Sequence, residues 1–227
     1  SLSDPGARLR AGTIIPAPNA IDFEVIDRTT GASAFVQLPT PGRHNAANAL
    51  SALGAAIACG VPLEDAASAL DAFMGLKRRL EYVGEVNDIT VIDDFAHNPD
   101  KIEATLTTLH TFAGRLLILF QPHGFGPLRL MKDAFVDCFA DNLDDGDVLI
   151  MPDPVYFGGT VDRSVSSGDI VDAVRARGHE AWNFPERAQC GEKLLELAQP
   201  YDRIIVMGAR DDTLSQFAAE LLDRLGR

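Results

Sequence analysis

Three observations predict an α/β fold for the larger part of this chain, a Rossmann-like and mostly parallel sheet with helices on both faces. Short apolar runs recur after residue 88, at ITVIDDF, RLLILFQP, DVLIMPD, EAWNF and RIIVMGA. Helical stretches separate them near residues 99–113, 128–143, 168–177, 187–199 and 212–225, an alternation that builds parallel strands joined by crossover helices. Polar residues collect where the runs end, in DDFAHN, QPHGFG, PDPVYFGGT and GARDD. A sheet of this kind places its ligand at the carboxyl ends of its strands.

The elements before residue 88 differ in rhythm. SLSDPGARLRAG has no initiator Met and reads as a connection inside a longer protein, so a piece of something larger is expected. DFEVIDR and SAFVQLP alternate apolar and polar residues around TTGA, which predicts a β-hairpin between Ile21 and Leu38. PGRHNAANALSALGAAIACG is Ala- and Leu-rich and predicts a helix stopped by Gly60. PLEDAASALDAFMG predicts a second, with Pro62 at its start and Gly75 at its end. GLKRRLEYVGEVND reads as a connector carrying a cluster of positive charge. A boundary near residues 80–86 therefore separates a hairpin-plus-helix-pair part, 1–82, from the α/β domain, 83–227.

The 227 residues carry 20 basic against 33 acidic side chains, a net charge of -13, which argues against a nucleic-acid footprint or an anionic-membrane surface. No run approaches a membrane span and no signal-peptide pattern opens the chain, so a cytoplasmic setting without membrane insertion is expected. Cys59, Cys138 and Cys190 are odd in number and widely spaced, which speaks against a disulfide framework or a zinc site, and no metal ligands are singled out. The lysines stand at 77, 101, 132 and 193, none after a Gly, so G-x-x-x-x-G-K-[ST] is absent from the chain. No Ser sits in G-x-S-x-G and no Cys pairs with a nearby His, which leaves acyl-enzyme chemistry unsupported.

Each motif has a plain reading beside a functional one. Asn45 and Asn48 share a helix face, and a carboxamide can match the N6/N7 edge of adenine, but one can equally cap the helix. Lys77, Arg78 and Arg79 can meet phosphate oxygens or form a solvated linker. In DDFAHNP, Asn98 and Pro99 suit the N-cap and first position of the next helix. Asp93 and Asp94 at the end of a buried strand are costly unless used or solvated, which favours a site able to take ribose hydroxyls or magnesium. His97 can orient or deprotonate an amine. His123 precedes a Gly-rich turn, and Arg210, Asp211 and Asp212 can bind a zwitterion or cap the last helix.

In order, G-R-H-N-x-x-N, a helix pair, G-x-x-R-R-L-E, V-I-D-D-F-A-H-N-P-D and F-Q-P-H resemble the Mur ligase family, closest to its muramate–alanine and murein-tripeptide branch. The resemblance runs from about residue 12 and maps onto the end of the family's central ATPase domain and all of its C-terminal domain. It implies His44, Asn45 and Asn48 beside the nucleotide base. It also implies Arg79 as a nucleotide contact from the hinge, and Asp94 on the ribose side and, with His97, among the catalytic residues. Asn98 and His97 are implied at the cleft where nucleotide and amine meet. His123, Arg129, Arg210 and Asp211 are implied near the amine substrate. The reaction implied uses ATP and Mg2+ to phosphorylate a carboxylate, which an amino-acid or peptide amine then attacks. The acceptor is implied to be a UDP-sugar held by a missing N-terminal region, and the chain alone is expected to be inactive. Gly124 stands where the branch has an arginine after Q-P-H, and Arg210 where M-G-A-G-D has a glycine, so the resemblance does not fix which amine is joined. A stand-alone nucleotide-binding module without catalysis is the competing reading. A dinucleotide oxidoreductase ranks lower, because A-H-N-P-D replaces G-x-G-x-x-G after the first strand of the α/β part.

Overall fold

In the computed structural model residues 1–155, 160 and 162–227 are described, and the chain falls into two units, Ser1–Leu76 and Lys77–Arg227. The sequence boundary between residues 82 and 83 lies inside β4 (Glu81–Val86), a strand of the second unit.

The first unit is an antiparallel sheet in the order β1 (Leu9–Ala17), β2 (Ala20–Asp27), β3 (Ser33–Leu38), with α1 (Arg43–Ala58) and α2 (Leu63–Asp71). Period-2 alternation buries Ile21, Phe23 and Val25 of β2 against Leu50 and Leu53 of α1 and Leu63 of α2. The expected hairpin is thus a three-stranded meander. β1 carries Gly12 and Pro16, which disguise a strand, but an edge strand tolerates both, and its register shifts between Ala11 and Ile14.

The second unit holds a six-stranded sheet in the order β4, β5 (Ile89–Asp94), β9 (Arg203–Gly208), β6 (Leu116–Gln121), β7 (Val148–Pro152), β8 (Glu180–Phe184). Five strands are parallel, and β4 pairs antiparallel with β5. Each central strand is buried on both faces because alternate residues feed two cores. Ile118, Phe120, Leu149, Ile205 and Met207 pack under α3 (Pro99–Leu109), α5 (Lys132–Asn142) and α6 (Ser167–Ala176). Leu117, Leu119, Ile150, Ile204 and Val206 pack under α7 (Arg187–Leu197) and α8 (Thr213–Leu225). The chain passes from β5 to β6 and leaves a slot that β9 fills on its return. The carboxyl ends of β5, β9 and β6 are thereby brought side by side from distant sequence.

Two sequence expectations are corrected. The stretch read as a connector contains β4, joined to β5 by Asn87 and Asp88, both in the left-handed region that two-residue hairpins require. The single helix expected at 128–143 is α4 (Phe125–Leu130) and α5, separated at Met131, whose backbone leaves the helical region. Pro127 lies in the first turn of α4, where its missing N–H costs nothing. Among the described residues no helix is long and apolar enough to cross a membrane. All three cysteines are free, and burial pushes the Cys138 and Cys190 thiols up to about 12.

Candidate functional site

The chain enters the second unit through a strained connection. Arg78 and Leu80 both have positive φ, at 59° and 49°, which costs a non-glycine residue about 1 kcal/mol or more each. What offsets that strain is the set of bonds made by the buried Arg78 guanidinium, which joins three elements. Its Nε donates to Asp93 Oδ1 at the end of β5 (3.3 Å), Nη2 to the Gly208 carbonyl at the end of β9 (2.7 Å), and Nη1 to the Asp211 carbonyl just before α8 (3.2 Å). Asp93 is 1% exposed, and its other oxygen accepts from Ser215 Oγ on α8 at 2.6 Å. Burial raises the Asp93 pKa, against the opposing pull of Ser215 and Arg78. Gly208 permits the close approach of β9 to β6, since a Cβ there would lie 2.9 Å from the Gln121 carbonyl oxygen.

Asp94 is buried, and its oxygens accept from Leu80 N (3.0 Å), Thr105 Oγ1 (2.7 Å) and Ala96 N (3.3 Å). Both oxygens are engaged by the protein, so this carboxylate fixes the turn from β5 into α3. Asn98 caps α3, its side chain accepting from Lys101 N at 3.1 Å, and Pro99 follows in the first turn. The fixed turn presents His97. Its Nδ1 lies 2.8 Å from the Phe95 carbonyl oxygen. A carbonyl only accepts, so Nδ1 carries the proton, and Nε2 of a neutral ring is left with the lone pair.

His123, beyond the end of β6, meets His97 edge to face with ring centroids 5.5 Å apart. Its pKa is lowered, first by burial and then by the His97 and Arg210 charges, so the neutral ring is the favoured form. Arg210 is exposed after β9 with φ of 60°, a left-handed conformation that the expected glycine would adopt without strain. Arg79 is exposed and stacks over the Phe95 ring at 5.3 Å. The second unit thus gathers His97, His123 and Arg210, with Arg79 on the neighbouring Phe95.

Asp211 accepts from Thr213 N at 3.0 Å and pairs with Arg187 Nη1 at 2.7 Å. Burial opposes its ionisation, but the Thr213 hydroxyl and the Arg187 charge prevail, and its pKa lies below the ordinary value. Arg129, half exposed on α4, pairs with Asp162 at 3.1 Å. Between the carboxyl ends of β6, β7 and β8 and the helices α7 and α8 opens a cleft of about 660 Å³, with Gln121, Asp153, Arg187 and Glu220 in its lining. Arg78, read from sequence as a phosphate contact or part of a solvated linker, is instead buried on protein partners, and local patterns missed Thr105, Ser215, Arg187 and Gln121. Tyr156–Gly159 of PVYFGGT lie outside the described residues.

In the first unit, His44, Asn45 and Asn48 stand in the opening turns of α1. Asn45 Nδ2 donates to the Pro41 carbonyl at 2.7 Å and its Oδ1 accepts from Asn48 Nδ2 at 3.5 Å. Asn48 itself is exposed, and its nitrogen is the donor in that contact. Among the described residues no group of three or more His, Cys, Asp or Glu side chains could hold a metal ion.

The family model described as Mur ligase, glutamate ligase domain, matches residues 78–210. UDP-N-acetylmuramate--L-alanine ligase of Rickettsia bellii (strain OSU 85-389) is 33% identical over 218 residues, 93% of this chain and 43% of the relative. The Rhizobium meliloti (strain 1021) protein of the same name is 34% identical over 215 residues, 92% of this chain and 44% of the relative. The chain therefore spans less than half the length of these curated relatives. A murein peptide ligase from Psychrobacter arcticus superposes with a TM-score of 0.62 at 26% identity, covering 98% of this chain and 45% of that one. A MurF structure from Acinetobacter baumannii superposes with a TM-score of 0.74 at 23% identity over 97% of this chain and 46% of that one, a likeness of fold.

Proposed function

Because the chain belongs to the Mur ligase family, we propose that it is the C-terminal portion of an ATP-dependent, ADP-forming ligase. The ligase joins an amino-acid or peptide amine to a carboxylate, with a UDP-muramoyl peptidoglycan precursor as acceptor, in the cytoplasm. Residues 1–82 are read as the end of the central ATP-binding domain and 83–227 as the C-terminal domain. The chain alone is read as inactive, since it contains no phosphate-binding G-x-x-x-x-G-K-[ST].

The observation that carries this reading is the His97–His123 pair beside Arg210 at the carboxyl edge of the sheet. ATP supplies the phosphoryl group that activates the acceptor carboxylate for attack. The incoming amine arrives largely as ammonium and must lose a proton first. His97 is built to take it, because the Phe95 carbonyl holds Nδ1–H and turns the basic character to Nε2. His123, kept neutral, adds no charge that would repel the ammonium, and Arg210 offers a cation to the amine substrate's own carboxylate. Arg79, held on Phe95, presents its guanidinium to the nucleotide, and Asn48 its carboxamide to the base. Asp94 serves as a positioning residue for the loop that bears His97. Magnesium finds no ligand cluster among the described residues, so no step is assigned to it.

Calorimetry of the chain with Mg-ATP and ADP tests the reading. Saturable heat at millimolar nucleotide, weakened several-fold by Arg79→Ala, is expected. No heat with either nucleotide would remove the nucleotide role.

A further inference from the structure

Phe95 follows Asp94 at the end of β5 and is half-buried. Among the described residues neither apolar core of the second unit includes it. Its neighbours are cations and a histidine instead. The Arg78 and Arg79 guanidinium carbons lie over the ring, 5.2 and 5.3 Å from its centroid, and the His97 ring meets it edge to face at 5.2 Å. Its backbone N–H donates to the Arg78 carbonyl at 2.7 Å, and its own carbonyl accepts from His97 Nδ1. A phenyl ring that only filled space would sit among aliphatic side chains, whereas this one presents its negative face to cations.

The two cations differ in what else they hold. Arg78 is committed to Asp93, Gly208 and Asp211. Arg79 is exposed, and among the described residues no carboxylate pairs with it. A guanidinium lying on an aromatic face keeps its in-plane N–H donors turned outward, so Arg79 can take phosphate oxygens without leaving the ring. Cation–π attraction acts within about 6 Å, so any shift of Arg79 towards an anion is felt by Phe95, whose other mobile neighbour is His97.

We infer that Phe95 is a positioning residue that couples the nucleotide to the proton acceptor: an anion held by Arg79 fixes the Phe95 ring, and the ring fixes the orientation of His97. The inference rests on the ligase reading and adds a route by which bound nucleotide readies His97. Such coupling is reciprocal, so loss of the ring weakens nucleotide binding as well as the order of His97.

The test uses the chain itself, with Mg-ADP as the probe, calorimetry for affinity and proton–nitrogen NMR of the His97 ring for its tautomer and environment. In the parent chain saturating ADP should shift the His97 ring signals while Nδ1 keeps its proton. Phe95→Leu should fold, bind ADP about fivefold more weakly through loss of one cation–π contact, and show mixed His97 tautomers that saturating ADP leaves unchanged. In Arg79→Ala saturating ADP should not move the His97 signals. Phe95→Tyr keeps the ring and should match the parent in affinity and in the His97 response. Failure of Phe95→Leu to fold overturns the inference, because the ring would then be core. Unchanged ADP affinity in Phe95→Leu, or a His97 response to ADP in Phe95→Leu or Arg79→Ala, also overturns it. A parent chain that binds ADP with no response at His97 overturns it while sparing the ligase reading. A parent chain that binds no ADP removes that reading and the inference with it.

Discussion

Replacing Arg78 by Met keeps the length of the side chain and its left-handed backbone but removes three donors from a buried junction. Asp93 would keep only the Ser215 hydroxyl, and the Gly208 and Asp211 carbonyls would each lose a partner. Removing one member of a buried ion pair costs about 3–5 kcal/mol. A second route gives a similar figure. Asp93 can escape by binding a proton, and from its ordinary value of 3.8 that costs about 4 kcal/mol at pH 7, at ~1.4 kcal/mol per unit. The pH dependence follows with a definite sign. A carboxyl whose folded pKa is raised binds its proton more tightly when folded, so stability falls as pH rises from the unfolded value through the folded one. Without the cation the folded pKa rises further, so the penalty of Arg78→Met should shrink to about 2 kcal/mol at pH 5. Adding Asp93→Asn should recover much of the loss at pH 7, since no buried charge then remains. Urea unfolding followed by the fluorescence of Trp182, the chain's one tryptophan, reads the second unit directly. A loss below about 1 kcal/mol at pH 7, or one that does not shrink on acidification, would rule out a buried Asp93 charge dependent on Arg78.

Four further outcomes are expected. Thr105→Val removes a buried donor to Asp94 and should cost about 1.5–3 kcal/mol in the same urea assay, while Thr105→Ser should restore most of it. Asn98→Ala removes the cap of α3 and should cost about 1 kcal/mol, with Asn98→Asp close to neutral. Arg210→Gly relieves a left-handed residue and withdraws a charge, so NMR titration should find the His123 pKa raised, with stability unchanged or up by about 1 kcal/mol. Asp27 is held at about 2, chiefly by the Arg8 side chain and the Thr29 amide, so its stabilisation is present above 3.8 and lost as pH falls towards 2. Asp27→Asn should flatten the stability–pH profile in that window.

The α/β sheet was legible because strands buried on both faces need unbroken apolar runs, as in LLILF and RIIVM, and local composition carries that signal. The cap at Asn98 was legible for the same reason, its partner being three residues away. β1 was hidden by Gly12 and Pro16. β4 was hidden by polar residues proper to an edge, although Asn87–Asp88 was a hairpin signal that could have revealed it. In the site, the sequence showed that paired aspartates at a buried strand end are costly and favoured ribose hydroxyls or magnesium as their use, whereas in the structure protein groups meet that cost. Arg78, Ser215 and Thr105 reach them from 15, 122 and 11 residues away, through a fold in which β9 slots between β5 and β6. The departure at Arg210 was visible as a residue, while its left-handed backbone was visible only in three dimensions.

Amide ligation, the proposed activity, is open to one direct measurement. The complete gene product that contains this chain is incubated with Mg-ATP, a UDP-muramoyl carboxylate and either an amino acid or a short peptide, and products are resolved by mass spectrometry. The expected result is an amide product whose mass equals acceptor plus amine less water, formed with ADP and phosphate and only when both substrates are present. Formation of AMP instead, or no amide with any amine while ATP is bound, would contradict it.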